Sequence, residues 1–383
     1  MEHVKRDFQI PEEHFFLFGP RGTGKSTLLK KNIPNSLYID LLQPDLSRMY
    51  AARPERLLEA VHAQPEKRVV VIDEIQKIPD LLPAVHSLIE EKQGRQFILT
   101  GSSARKLRQG GINLLGGRAL QKRLHPFSAW ELNEKFSLTE ALETGLIPVV
   151  FSARDRNAAL SAYIDLYIRQ EVMMEGWTRN IGNFSRFLES ISFSHGSILN
   201  LSNVSRECQV ERKIVESYVT VLEDLLVARK LNVFSRRAQR QVAVRPKFYF
   251  FDTGLFRKLR PKGPLDAPGE IEGPALEGMV LQHLQAFVDN QNKELEIYFW
   301  RTRSGSEVDF ILYGEELFCA IEVKNTTVVR PSDLRALKTF LCDYPRSRGM
   351  LVYRGREKLK RDHILILPCE DFLRNLPNHL TAR

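Results

Sequence analysis

The first 127 residues of this 383-residue chain alternate short apolar runs with stretches of helical periodicity. The apolar runs HFFLFG, LYID, RVVVID and QFILTG cover residues 14–19, 37–40, 68–73 and 96–101. Strands that alternate with helices build parallel sheets, because each helix carries the chain back across the sheet. We therefore predict an α/β domain with a parallel sheet, and we place its end at residue 127.

Helical patterns dominate the middle of the chain. Residues 128–180 predict a helical connector, and residues 181–228 predict three helices. The last helix, 211–226, has one apolar stripe, formed by Ile214, Val215, Tyr218, Leu222, Leu225 and Leu226. A basic two-stranded hairpin pattern follows it, so the pattern over 181–260 predicts a winged helix. The Pro- and Gly-rich segment 260–274 is the predicted linker to the last domain.

Residues 261–383 predict a second α/β domain with a helix, three strands, a helix and further strands. The informative pair of strands is RSGSEVDFILY and LFCAIEVKN, with a two-residue turn predicted at Glu315–Glu316. Antiparallel pairing around that turn places Asp309 opposite Glu322, and Glu307 opposite Lys324. Because side chains alternate along a strand, these four share one face. The other face then packs on the core through Val308, Phe310, Ile321 and Val323.

Composition narrows the class of protein. Hydrophobic residues make up 43% of the chain, and no apolar run approaches the ~18 residues of a membrane span. The N-terminus lacks the apolar stretch of a secretory signal. The four cysteines have no CxxC spacing, which favours reduced thiols. We expect a cytoplasmic protein without a membrane partner.

The net charge of +9 is concentrated in one segment. Residues 229–262 hold eleven Lys or Arg and one acidic residue, so the rest of the chain is nearly neutral. A basic block of this kind favours binding of a polyanion, with nucleic acid as the expected partner. A solvated basic loop is the alternative.

One motif predicts a nucleotide site. Residues 19–26 match G-x-x-x-x-G-K-[ST], with an apolar strand before the motif and a helix pattern after it. Backbone N–H groups of such a loop wrap phosphates, Lys25 reaches the β- and γ-phosphates, and Ser26 ligates Mg²⁺. The expected cofactors are ATP and Mg²⁺. The residues expected to bind the nucleotide are Gly19, Pro20, Arg21, Gly22, Thr23, Gly24, Lys25, Ser26 and Thr27.

A second motif completes this site. The run RVVVIDEIQK brings Asp73 and Glu74 to the carboxyl end of a strand, where open α/β sheets bind ligands. Asp73 is expected to hold Mg²⁺. Glu74 is expected to polarise the attacking water, as the adjacent acid does in the additional-strand class of P-loop ATPases.

A series of motifs resembles a broad family of bacterial and archaeal AAA-like ATPases with a winged-helix segment and an uncharacterised C-terminal domain. The series is GPRGTGKST, VVVIDEIQK, LTGSS, GGRAL, HPFSAWEL, PKFYFFDTGL and RSGSEVDFIL. The resemblance to AAA+ proteins implies that Thr100 or Ser102 senses the γ-phosphate or the water. It also implies that Arg118 acts on a neighbouring subunit's nucleotide in a homo-oligomer. A Ser/Thr turn and a surface arginine are the respective alternatives.

The C-terminal domain resembles the PD-(D/E)xK nuclease fold. Asp309 and Glu322-Val323-Lys324 match its metal motif, and Glu277 on the preceding helix matches its extra acidic position. The resemblance implies Mg²⁺ held by Glu277, Asp309 and Glu322, with Lys324 in a catalytic role. Two alternatives stay open: cross-strand ion pairs that face water, or a binding module that has lost the chemistry.

These patterns lead to two hypotheses of function. In the first, the nucleotide cycle repositions a DNA-binding winged helix and a nuclease-like domain. Any DNA binding would then be mostly electrostatic. The third helix has a polar face with Arg212, Lys213, Glu216 and Thr220, and the hairpin tip places Arg236, Arg237 and Arg240 for phosphate contacts. In the second, the protein is a regulatory NTPase whose C-terminal domains bind protein, and the winged helix is a spacer.

Overall fold

The computed structural model describes residues 4–102, 114–168, 180–236, 245–264, 266–290 and 294–381. The chain forms two compact units. The N-terminal unit contains Arg6–His125 and Asp224–Leu226, and the C-terminal unit contains Met1–Lys5, Pro126–Glu223 and Val227–Arg383.

A five-stranded parallel sheet organises the N-terminal unit, in the order β2-β3-β4-β1-β5. Its strands are β1 (Phe15–Phe18), β2 (Leu37–Asp40), β3 (Val69–Asp73), β4 (Gln96–Gly101) and β5 (Leu120–Arg123). Its helices are α1 (Lys25–Asn32), α2 (Pro44–Ala52), α3 (Arg56–His62) and α4 (Leu82–Glu90), with 3₁₀ turns at Ile75–Lys77, Pro79–Leu81 and Leu114–Gly117. Each of the four apolar runs contains a strand, which confirms the predicted parallel α/β fold.

The C-terminal unit begins with short helices. They are α5 (Ala129–Leu132), α6 (Leu138–Thr144), α7 (Pro148–Phe151) and α8 (Arg156–Ala162), with a 3₁₀ turn at Asn133–Lys135 and a π-helical turn at Tyr163–Ile168. The Glu131 carboxylate accepts from the N–H of Ser128 at 2.8 Å, which satisfies one backbone N–H group at the start of α5.

Three helices and a small antiparallel sheet form the middle of the C-terminal unit, in the order β6-β8-β7. They are α9 (Ile181–Ser192), β6 (Ser197–Ile198), α10 (Leu201–Cys208), α11 (Arg212–Asp224), β7 (Ala228–Leu231) and β8 (Lys247–Phe250). The three predicted helices are thus present. The predicted stripe of the third was wrong at Ile214, which is exposed while its neighbour Val215 is buried, and the helix ends at Asp224, before Leu225 and Leu226.

The rest of the C-terminal unit is built on a six-stranded mixed sheet, in the order β13-β14-β12-β11-β10-β9. Its strands are β9 (Leu295–Arg301), β10 (Glu307–Gly314), β11 (Phe318–Lys324), β12 (Arg348–Tyr353), β13 (Leu359–Arg361) and β14 (Ile364–Pro368). Its helices are α12 (Thr253–Leu259), α13 (Pro268–Asn290), α14 (Arg335–Asp343), α15 (Cys369–Arg374) and α16 (Leu376–Thr381), with a 3₁₀ turn at Pro331–Leu334. The predicted linker was therefore wrong beyond residue 267, where α13 begins with Pro268 in its first turn, a position that tolerates proline, and continues through Pro274.

The predicted register of β10 and β11 is confirmed, because Phe310 pairs with Ile321 and Tyr313 with Phe318. The environment of the pair differs from the open alternative of ion pairs that face water. Both Asp309 and Glu322 are buried, at 7% and 3% exposure.

The middle segment joins the large sheet directly. Val233 forms a parallel bridge with Phe299 of β9, and the N–H of Phe234 donates to the carbonyl of Phe299 at 2.6 Å. Phe234 is buried among aromatic rings, including Phe318 and Tyr344. The segment and the sheet thus share one hydrophobic core.

Among the described residues, no helix is long and apolar enough to cross a membrane. The four cysteines are free thiols, as expected.

Candidate functional site

The phosphate-binding loop spans the turn between β1 and α1. Gly22 and Gly24 have φ angles of 80° and 89°, which side-chain-bearing residues rarely adopt. Gly19 is needed for another reason, since a Cβ there would collide with the carbonyl oxygen of Leu124. The Lys25 ammonium is buried and donates to the carbonyls of Gly19 at 2.7 Å and Pro20 at 3.3 Å. The lysine therefore lies over the loop it is expected to serve.

Asp73 ends β3 beside this loop and is held by two hydroxyl groups. Its Oδ2 accepts from the Tyr38 hydroxyl at 2.6 Å, and its Oδ1 accepts from Thr100. The side chain is 1% exposed. Both partners are neutral, so neither hydroxyl supplies a positive charge to the carboxylate.

Glu74 follows Asp73 with a strained backbone. Its φ of 63° and ψ of 45° lie in the left-handed region, which costs a non-glycine residue about 1–3 kcal/mol. Its N–H donates to the Thr100 hydroxyl at 3.0 Å, and its carboxylate accepts from Gln76. Gln76 also donates to Ser102 at 3.2 Å. The network fixes Glu74 through the two residues expected to act as sensors.

Tyr38 was missed by sequence reasoning. Burial, and then its hydrogen bond to Asp73, raise the pKa of the phenol, while a hydrogen bond with Ser26 acts in the opposite direction. Tyr38 thus contacts both residues expected to ligate Mg²⁺. The available signal was a tyrosine inside LYID, whose Asp40 ends β2 just as Asp73 ends the paired strand β3.

Arg118 lies after the 3₁₀ turn at Leu114–Gly117, before β5. Its side chain is 43% exposed and forms an ion pair with Glu90. A trans-acting arginine needs exposure of this kind, and the pair with Glu90 would have to open.

Four carboxylates of the C-terminal unit form what we call the acidic cluster: Glu277, Glu307, Asp309 and Glu322. An unpredicted residue, Lys247 of β8, enters it with 1% exposure. Its ammonium lies 2.6 Å from Glu307, 2.9 Å from Glu277 and 3.5 Å from Asp309. Tyr249 of the same strand also donates to Glu277. The sequence signal was a single lysine directly before the apolar run FYFF.

The remaining cations of the cluster come from its own sheet. Lys324 pairs with Glu322, whereas Glu307 pairs with Arg301 at 3.0 Å. The alternative of a cross-strand ion pair between Glu307 and Lys324 is therefore not observed, since Glu307 pairs with Lys247 and Arg301.

The protonation equilibria of the cluster reflect its burial. Burial, followed by the charge of Asp309, raises the pKa of Glu277 to about 7. The same two causes raise the pKa of Glu322 well above its usual range. Burial alone would lower the pKa of Lys247, but Glu277 and the other anions around it hold that pKa well above the ordinary value. The lysine is therefore charged.

The three expected metal ligands do not fit a divalent site in this arrangement. In the described ranges, no group of three or more His, Cys, Asp or Glu side chains is placed to hold a metal. The physical reason is Lys247, which lies next to both Glu277 and Asp309. Asp309 Oδ2 also accepts from the N–H of Val323 at 2.8 Å. The prediction of a three-carboxylate centre was wrong for this conformation.

An open cleft of about 500 Å³ nevertheless reaches two of these ligands. Its lining includes Asp309, Glu322 and Lys324, with Ser304 and Ser306 at its side. Glu322 Oε2 is buried and has no hydrogen-bond partner among the described residues. A buried carboxylate oxygen without a partner is costly.

At least five of the eleven Lys and Arg residues of the basic block form ion pairs within the protein. Lys230 pairs with Glu223, Arg236 with Glu296, Arg257 with Glu272, and Arg260 with Asp266. Lys247 is inside the acidic cluster. Arg237 and Arg240, expected at the hairpin tip, lie outside the described residues. On α11, by contrast, the face with Arg212, Lys213, Glu216 and Thr220 is exposed.

Family comparisons divide the chain into three parts. Residues 12–133 match the model of an AAA domain, residues 135–266 match a domain of unknown function (DUF8612), and residues 272–372 match another (DUF4143). With the loop and the parallel sheet, the first match makes the N-terminal unit an AAA-like P-loop ATPase domain.

Known relatives extend the comparison. Uncharacterized protein Rv2008c from Mycobacterium tuberculosis is 26% identical over 368 residues, covering 93% of this chain and 80% of that protein. AMPPCP-bound DnaA from Aquifex aeolicus is 12% identical with a TM-score of 0.27, covering 55% of this chain and 82% of that one. Pif1 helicase from Candida albicans is 14% identical with a TM-score of 0.22, covering 40% and 43%. TM-scores this low do not indicate a shared overall fold with either protein.

Proposed function

We propose that this protein is an ATP-hydrolysing, AAA-like ATPase that acts on DNA through its C-terminal unit. The observation that carries the ATPase part is the geometry around the loop. Lys25 lies over the loop. Asp73 is buried, and its carboxylate accepts hydrogen bonds from the hydroxyl groups of Tyr38 and Thr100. The N–H of Glu74 also bonds to Thr100, which fixes Glu74 beside Asp73. Mg²⁺ bound by Ser26 and Asp73 would neutralise phosphate charge, and Glu74 would orient the attacking water. Arg118 would act across a subunit interface.

The DNA part of the proposal is supported by the middle segment. The order α9, β6, α10, α11, β7, β8, with β8 central in the sheet, is the arrangement expected of a winged helix. In such modules the third helix enters the major groove. Because at least five cations of the basic block are paired internally, the exposed Arg212 and Lys213 near the start of α11 are the proposed phosphate contacts.

The nuclease-like part is supported by element order. A helix (α13), three antiparallel strands (β9, β10, β11), a helix (α14) and a strand parallel to the third (β12) follow the PD-(D/E)xK plan. The carboxylates of that plan are present, but Lys247 lies where their cation would be expected. We therefore propose that this domain does not cleave DNA in the conformation described here.

One observation favours the alternative, a regulatory NTPase whose C-terminal unit binds protein. The internal pairing of Lys230, Arg236, Arg257 and Arg260 removes much of the basic surface that the sequence suggested. The alternative predicts no salt-dependent DNA binding.

Fluorescence anisotropy with labelled duplex DNA separates the two functions. Replacing Arg212 and Lys213 together by Ala should weaken binding for all sequences and lower the slope of log K against log salt by about 2. The matched control is Arg236→Ala, whose guanidinium is already paired with Glu296 at 3.0 Å and should matter little. Absence of DNA binding by the native protein, with and without ATP, would select the regulatory alternative.

A further inference from the structure

The acidic cluster combines four carboxylates with three cations from different parts of the C-terminal unit. Its four carboxylates face three cations, which are Lys247, Arg301 and Lys324. Two of the cations belong to the large sheet itself. Lys247 comes from β8 of the middle segment and is the most deeply buried of the three, at 1% side-chain exposure against 41% for Arg301 and 34% for Lys324.

The surroundings of Lys247 are those of a bound cation. Three carboxylates lie within 3.5 Å of its ammonium, and the ring centroid of Phe299 is 5.6 Å away. Carboxylate oxygens from several elements that converge on one point are also the ligands that Mg²⁺ and Mn²⁺ prefer. If Lys247 were neutral, a divalent ion with Arg301 and Lys324 would balance all four carboxylates.

A second observation points to a ligand in the same place. Glu322 Oε2 is buried and has no hydrogen-bond partner among the described residues. Glu322 and Asp309 both line the open cleft, which gives a small ion a route from solvent. Neither Lys247 nor Glu277 is among the described residues that line the cleft. The lysine therefore adds its charge without closing the entrance.

We propose that Lys247 is a built-in counter-ion that takes the place of a divalent cation, and that Lys247 and the metal exclude each other from the acidic cluster. The domain is then a latent metal site, whose cation is supplied by the segment packed against it. Displacement of β8 would remove the Lys247 ammonium from the acidic cluster, and its return would restore it. The choice of a divalent cation rests on the proposed nuclease-like character of the domain, but it requires neither ATP hydrolysis nor DNA binding.

The test is Mn²⁺ binding by the full-length, nucleotide-free protein, followed by electron paramagnetic resonance. The native protein should show no Mn²⁺ site that depends on Asp309. Lys247→Gln should gain one site, at least about tenfold tighter than any native binding there, because removal of a charge within 4 Å of the ion relieves a large repulsion. The new site should be lost when Asp309→Asn is added. Lys230→Gln, which removes a lysine paired with Glu223, is the matched control and should gain nothing.

Two outcomes would overturn the proposal. One is that the native protein, with Lys247 unchanged, has an Mn²⁺ site that disappears in the Asp309→Asn variant. The other is a folded Lys247→Gln protein with native Mn²⁺ affinity. If Lys247→Gln does not fold, Lys247→Gln with Glu277→Gln removes one charge of each sign and leaves Asp309 and Glu322 in place. That protein should still gain the site. Failure of ATP hydrolysis or DNA binding would leave this result unchanged, so the two proposals fail separately.

Discussion

The two carboxylate sites of this protein both contain buried carboxylates, but different groups surround them. In the N-terminal unit, the oxygens of Asp73 accept hydrogen bonds from the neutral hydroxyls of Tyr38 and Thr100. In the acidic cluster, carboxylates pair with the ammonium groups of Lys247 and Lys324. Neutral donors leave a negative charge that attracts a cation, whereas an ammonium already supplies one.

The difference separates a site that is ready for a metal from one that is blocked. The donors around Asp73 are provided by its own sheet, so the site is complete within one unit. The cation between Asp309 and Glu277 comes from a strand of the middle segment. Carboxylate motifs of similar appearance in the sequence therefore lead to different expected chemistry, and the deciding residue is outside the motif.

The largest expected effect tests the site that is ready. Lys25→Ala should lower ATP hydrolysis by at least about 100-fold, since a phosphate-binding ammonium is lost, and Glu74→Gln should do the same while ATP binding remains. Measurement of phosphate release and of nucleotide affinity separates the two effects. Lys31→Ala, which removes an exposed lysine of the same helix, is the control and should retain activity. Native turnover in the Lys25 variant would exclude this site.

Local sequence signals predicted the first site almost completely. The glycines, Lys25, Asp73 and Glu74 follow each other along strand-loop-helix patterns whose geometry is fixed by backbone chemistry. The β10–β11 register was also predictable, because a turn at Glu315–Glu316 fixes every pair that follows. Lys247 and Tyr38 were not predictable, since each reaches its carboxylate through the packing of strands distant in sequence. Contacts between residues so distant in sequence leave no periodic pattern from which they could be predicted.

Another buried carboxylate, Asp252, sharpens the comparison, because its described hydrogen bonds come from backbone N–H groups. Its oxygens accept from Leu146 at 2.8 Å and Leu255 at 3.2 Å. Burial is the main cause that raises its pKa to about 6, and these hydrogen bonds act in the opposite direction. Since the folded state holds this proton more tightly, the stability that it contributes is complete below about pH 4 and is lost as pH rises through about 6.

The free energy of unfolding of native protein relative to Asp252→Asn should therefore fall between pH 4 and pH 6. The expected slope is at most about 1.4 kcal/mol per pH unit, the value for one proton. Denaturant unfolding at pH 4, 5, 6 and 7 measures it, and the difference between the two proteins cancels other titrations. A difference that is constant with pH would show that cations or water neutralise Asp252 as well.

The smallest expected effect concerns the Tyr38 hydroxyl, which distinguishes the two kinds of site most directly. The hydroxyl donates to Asp73 Oδ2 at 2.6 Å, while Thr100 holds the other oxygen. Tyr38→Phe removes one of these two positioning bonds and adds no charge. Asp73 should then be less well oriented for Mg²⁺, and the Mg²⁺ concentration that gives half-maximal ATP hydrolysis should rise about tenfold, since a hydrogen bond to a charged group contributes about 1.5 kcal/mol. At saturating Mg²⁺, kcat should be nearly native, because Lys25 and Glu74 are unchanged.

Tyr50→Phe removes a buried phenol from the same unit and should leave the Mg²⁺ requirement as it is. If Tyr38→Phe instead lowered that requirement, the hydroxyl would be competing with the metal for Asp73, and the nucleotide site would resemble the blocked one.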